Sequence, residues 1–186
     1  MLTYSISVSS CLQNSVQCSI HLLSFYPSAD ASLSILSLSS LMLSTGSGSG
    51  YLLSIFHQLV SPPSGPSGSV LGIDHLPSLV SLALQNLSQD PSSSPYISSS
   101  ILNIVSDGRL GAPTSSLPPD FTGFDAIHVG AASSEFPEKL VEQLKEGGRM
   151  FVPVGRDWGE QWIWVVDKDF EGKVTKQKLF GVNYIP

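Results

Sequence analysis

The chain has 186 residues, is 41% hydrophobic and carries a net charge of -6, which allows one core but not two ordinary domains. Nine Lys and Arg against fifteen Asp and Glu exclude the clustered cations that a grip on nucleic-acid phosphates needs. Two cysteines, Cys11 and Cys18, make no disulfide framework, and no apolar run reaches the roughly 18 residues of a membrane span.

Met1 to Ser44 holds fourteen serines and one charged residue, Asp30. With no charge pattern and no clear helical period, this stretch is unassigned: a disordered tail or translated out-of-frame sequence. The exception is a strand expected at Leu38 to Leu43, feeding the glycines that follow. The N-terminus lacks both the basic start of a secretory signal and the Arg residues of a mitochondrial one, so a reduced, cytoplasmic protein is expected.

From residue 45 to 186 the texture is that of one alternating α/β domain. Tyr51 to Val60 reads as a helix with Leu52, Ile55, Phe56 and Leu59 inward. Ser69 to Ile73 reads as a strand ending at Asp74. Pro77 to Leu87 is a helix with Pro in its first turn and Leu79, Val80, Ala83, Leu84 and Leu87 inward. Ile101 to Val105 is a strand ending at Asp107-Gly108, and Gly111 to Gly123 is a long loop. Phe124 to Val129 is a buried strand with a small-residue exit, Gly130-Ala131-Ala132. Phe136 to Leu144 is a helix stopped by Gly147-Gly148, and Arg149 to Val154 is the next strand. Trp162 to Val166 and Val174 to Phe180 form a hairpin, and Val182 to Ile185 is a closing strand. This rhythm predicts a doubly wound, mostly parallel sheet covered on both faces.

Gly46-Ser47-Gly48-Ser49-Gly50 follows an apolar stretch and opens a helix. Such a loop is either a flexible linker or the first turn of a cofactor crevice, where glycine lets a ligand approach the backbone. Asp74 favours the second reading, because a carboxylate at the end of the next strand is placed to accept from ribose hydroxyls. Asp107 and Gly108 hold the same place one strand further on. There a carboxylate and an N–H can read the amine and ring nitrogen of adenine, although Asp-Gly is also a turn sequence. The glycine spacing G-x-G-x-G, with Tyr51 next, departs from the dinucleotide G-x-G-x-x-G and suits a nucleoside without pyrophosphate. The four histidines are dispersed, so no metal site is expected. His128 reads as a core histidine and His75 either as a helix cap or as part of the site. Trp162 and Trp164 share a strand face that packs on core or helix, a peptide platform being the alternative.

Five segments together resemble one family: Thr45 to Leu52, Val70 to His75, Ser106 to Gly111, Phe124 to Ala132 and Leu144 to Gly155. In order they are similar to the motifs of the protein-L-isoaspartate O-methyltransferases, and Gly181 to Pro186 is similar to that family's last strand. The stretch Asp125 to Ala132 is the most specific, and the long loops suggest a fungal-type member. The resemblance implies a Rossmann-like class I methyltransferase fold with S-adenosyl-L-methionine as cofactor. It places Gly46, Ser47, Gly48 and Gly50 against the methionine part, Asp74 and His75 at the ribose and adenine side, and Asp107 and Gly108 at adenine. The implied partners are isoaspartyl-containing proteins and peptides, met by a monomer without nucleic acid or membrane.

Three features depart from the family pattern, the first being that the short tail which follows the family's final strand has no counterpart after Pro186. Ser44 stands where the family has an acidic residue, two before the first motif glycine. No catalytic residue is assigned, because nothing in Met1 to Ser44 matches the family's Ser-Ala-Pro-His-like stretch; Ser19-Ile20-His21 is the nearest echo. The chain is thus expected to be a member with a damaged front and a clipped end. Three functions compete: a repair methyltransferase, a non-catalytic cofactor- or protein-binding module, and an NAD-dependent oxidoreductase. Tyr51 and the lack of a hydride-site acid weigh against the last.

Overall fold

The computed structural model describes residues 40–61, 67–156 and 159–184. The expectations for Leu38, the cysteines, Ser19 to His21, Trp158 and Ile185 lie outside them. Seven strands, β1 (Leu41–Thr45), β2 (Ser69–Asp74), β3 (Ile101–Val105), β4 (Phe124–Val129), β5 (Leu144–Gly155), β6 (Gln161–Lys168) and β7 (Val174–Val182), form one sheet. Their order is β3-β2-β1-β4-β5-β6-β7. The first five are parallel neighbours and the last two antiparallel. The mostly parallel, doubly wound sheet is therefore as the sequence predicts.

Helices α1 (Tyr51–Val60) and α2 (Pro77–Gln89) make the β1–β2 and β2–β3 crossovers. Both crossovers step in one direction, so right-handed connections set both helices on one face. The chain then returns past β1 to β4, which puts the short α3 (Glu138–Glu142) on the other face. Strand alternation divides the core accordingly. Leu43, Leu71, Ile73, Ile127, Val129, Met150 and Val152 pack with Leu140 and Val141 of α3. On the opposite face Phe56 of α1 meets the ring of His128, centroids 5.3 Å apart. No helix among the described residues is long and apolar enough to cross a membrane.

Several boundaries differ from expectation, each for a local reason. The buried stripe of α1 is Leu53, Phe56, His57 and Val60, whereas Leu59 is exposed. The sheet dictates this rotation, because Gly72 leaves a gap for Leu53 and His128 offers a surface to Phe56. In α2 only Val80, Ala83 and Leu87 are fully buried. The helix expected over Phe136 to Leu144 shrinks to Glu138–Glu142, and β5 begins at Leu144 rather than Arg149. Here Gln143 is taken out of the helix: its carboxamide bonds both the N–H and the carbonyl of Ala112, and its own carbonyl accepts from Phe124 N. The first strand is Leu41–Thr45, further into the glycine motif than expected. Val182 is no separate strand, since β7 continues through a register shift to pair Val182 with Gln161. Trp164 packs edge-on against Phe136 at the border of the core, and Lys178 Nζ lies 3.6 Å from the Trp162 ring centre.

Candidate functional site

The carboxyl ends of β1, β2, β3 and β4 converge, and each ends in a segment that the sequence singled out. After β1 the glycine loop turns sharply, with Gly46, Gly48 and Gly50 at φ 70°, 53° and 81°, a region costly to residues with a Cβ. A Cβ on Gly50 would sit 2.9 Å from Cβ of Ala83, so this glycine also lets α1 approach α2. Backbone bonds tie the loop to the neighbouring strand, Gly46 N and Ser47 N both donating to Ile73 O at 2.8 and 3.1 Å.

Asp74 is almost fully buried, at 5% exposure. One carboxylate oxygen accepts from Gly48 N at 3.0 Å and the other from Leu76 N at 3.0 Å. The side chain thus fixes the glycine loop and starts α2 together. Each oxygen retains a lone pair for a further donor. His75 is exposed, with Nδ1 3.7 Å from Asp74 Oδ1. It is not the cap of α2; that position is Leu76, and its N–H is met by Asp74.

Asp107 caps the 3-10 turn Gly108–Leu110 by accepting from Arg109 N. The Arg109 guanidinium grips both oxygens, at 2.9 Å from Nε and 2.6 Å from Nη2. Those bonds hold the carboxyl down at about 2, so it is ionised throughout the neutral range. A Cβ on Gly108 would lie 2.8 Å from Cβ of Thr45. The glycine therefore allows the third strand's exit to fold back over β2 onto the end of β1. Gly130 closes the other side: its N–H donates to Thr45 O at 2.8 Å, and a Cβ there would come within 3.0 Å of Gly46 O.

The structure thus brings together Gly46, Ser47, Gly48, Gly50, Asp74, Asp107 and Gly108, with His75 at the rim. Ser47 differs from expectation in one respect: its hydroxyl turns inward and donates to Asn103 Oδ1 at 2.8 Å. Asn103 itself was missed. Its only sequence signal is a carboxamide interrupting an apolar strand. Asn86, also missed, donates to Ser49 O at 2.9 Å and holds the far side of the loop. Ser44, on β1, is buried with its hydroxyl 3.3 Å from Nδ1 of His128. Burial pushes that imidazole down to about 4, so it is a neutral core group. Among the described residues no cluster of His, Cys, Asp and Glu could hold a metal ion.

Comparison with known proteins points one way. The family model for protein-L-isoaspartate(D-aspartate) O-methyltransferase matches residues 4–186. A protein-L-isoaspartate O-methyltransferase of Triticum aestivum is 42% identical over 144 residues, 77% of this chain and 57% of that protein. One of Caenorhabditis elegans is 38% identical over 144 residues, covering 77% of this chain and 59% of its own. The chain thus spans little more than half the length of these relatives. A crystal structure from Plasmodium falciparum, assigned to the same activity and bound to S-adenosyl-L-homocysteine, superposes with a TM-score of 0.68 at 28% identity. It covers 81% of this chain and 66% of that one.

Proposed function

This chain belongs to the protein-L-isoaspartate(D-aspartate) O-methyltransferase family, and from that premise we propose that it methylates the free α-carboxylate of isoaspartyl residues in damaged proteins and peptides. The observation that carries the reading is the convergence of the glycine loop, Asp74 and Asp107 at three successive strand ends. These groups fit a nucleoside sulfonium. Loop glycines leave the backbone open to the methionine part, Asp74 has spare lone pairs for ribose hydroxyls, and the ionised Asp107 with Gly108 N–H matches adenine. When bound, S-adenosylmethionine supplies an electrophilic methyl.

The substrate carboxylate is ionised near neutral pH, with an unperturbed pKa of roughly 3.5 to 4. No general base is required of the protein. Its task is to align oxygen, carbon and sulfur and to keep water away. In the transfer, the carboxylate oxygen forms a bond to the methyl carbon as the carbon–sulfur bond breaks, leaving a methyl ester and a neutral thioether. The peptide nitrogen on the C-terminal side then displaces methanol from the ester to close a succinimide. Asp74 acts at one remove from that chemistry, through the ribose hydroxyls it accepts from and the loop it holds.

The test is transfer of labelled methyl from S-adenosylmethionine to an isoaspartyl peptide, with the matching aspartyl peptide as control. Label that appears as base-labile ester on the isoaspartyl peptide alone is expected. Label on both peptides refutes the assignment, and cofactor binding without transfer supports a binding module instead.

A further inference from the structure

The glycine loop is held from below by two strands rather than one, and the second hold comes from a residue that belongs to no motif. Asn103 lies on β3, in register with Gly72 of β2, which in turn is in register with Ser44 of β1. Its carboxamide nevertheless bonds Ser47, just beyond β1. The two meet over β2: Ser47 N donates to Ile73 O, which sets the loop above the end of that strand, and the Asn103 side chain leans over Gly72 to reach it. A Cβ at Gly72 would collide with Asn103 Oδ1 and would also lie 2.7 Å from Leu53 Cδ1. The missing side chain of β2 is therefore the passage through which β3 reaches the loop.

We infer that Asn103 is a positioning residue for the cofactor: with Gly72 as its passage, it fixes Ser47 and so presets the backbone of Gly46 to Gly50. The inference rests on the reading of that loop as the cofactor's binding turn. Three observations carry it. Ser47 is 7% exposed, so its hydroxyl faces the protein. The Asn103 amide nitrogen is buried without a hydrogen-bond partner among the described residues, so the bond to Ser47 is what holds the carboxamide in place there. Finally, Asp74 holds Gly48 from the adjacent strand, so consecutive parts of one loop are pinned by two strands. A loop already fixed in its bound form loses less entropy when the ligand arrives.

The experiment is a calorimetric titration of S-adenosylhomocysteine into the full chain and into Asn103→Leu, Ser47→Ala, their double variant and Gly72→Ala. Each of the first two should weaken affinity about three- to tenfold, the range for one hydrogen bond. The double variant should be no weaker than the weaker single, because the two act as one unit. Gly72→Ala should reproduce Asn103→Leu by displacing the amide. Leu140→Ala, remote on α3, controls for stability; it should lower the melting temperature with affinity kept. In a turnover assay the loss should fall on KM for S-adenosylmethionine, with KM for the peptide unchanged. Unchanged affinity in Asn103→Leu, or losses in the singles that multiply in the double, would overturn the inference while leaving the methyltransferase reading intact. No binding by the wild-type chain would overturn both.

Discussion

Asp74 commits its two carboxylate oxygens to backbone N–H groups on either side of a strand end, so its removal should loosen the loop as well as strip a ligand contact. Asp74→Ala is expected to weaken S-adenosylhomocysteine binding by about tenfold or more, since hydrogen bonds to a charged group are the stronger kind; equilibrium titration measures it. His128 offers a test of sign. Burial holds its imidazole at about 4, below the unfolded value, so the folded state resists protonation. Its contribution to stability is complete above about pH 6.5 and is lost as pH falls toward 4, on the order of 3 kcal/mol in all. The buried His57, also pushed down by burial, adds in the same direction. Urea midpoints across that window should fall with pH, less steeply in His128→Asn. Ser44→Asp would set a carboxylate beside Nδ1, where Ser44 Oγ now lies at 3.3 Å. It should raise the His128 pKa, read from the imidazole resonance by NMR. The reading of His128 as a core residue was available from its place in an apolar strand. The Ser47–Asn103 bond was not, because nothing local tells a polar residue in a strand which distant hydroxyl it will meet.

At the scale of elements, the parallel strands were legible because each is a continuous apolar run bounded by turn residues, as expected of strands covered on both faces. The short α3 was not legible. Its apolar spacing is helical through Leu144, but Gln143 is claimed by the Ala112 backbone, a contact 31 residues away. Tertiary demand overrode local pattern there. The glycine loop shows the reverse case, in which sequence and packing agree. Gly50→Ala combines a left-handed φ of 81° with a Cβ only 2.9 Å from Ala83 Cβ, so it should cost about 2 to 4 kcal/mol from strain and overpacking together. Gly172, at φ 80°, has its nearest neighbour at 3.9 Å. Gly172→Ala should therefore show only the conformational part, roughly 1 kcal/mol. Chemical denaturation of the pair isolates the packing contribution between α1 and α2.

For the whole molecule, the strand order places β1 between β2 and β4, so the order in which strands are added to the sheet reverses beside the glycine loop. Ligands of such sheets sit in the crevice outside the carboxyl ends of the strands, at that reversal. Here the crevice gathers a backbone turn and two ionised or buried carboxylates, Asp107 and Asp74, and it is bounded by Gly130. The convergence could be anticipated from motif order, because each group follows a strand. The fold-back of Gly108 onto Thr45 could not, since it depends on a close approach between a turn and a strand end 63 residues apart in the chain. The most direct test of the account is isothermal titration of S-adenosylhomocysteine into the folded chain and into the Asp74→Ala/Asp107→Ala variant, with circular dichroism on both. Saturable one-to-one binding by the native chain, reduced about a hundredfold or more in a variant that keeps its secondary structure, is the predicted result. Equal affinity in the two would contradict it.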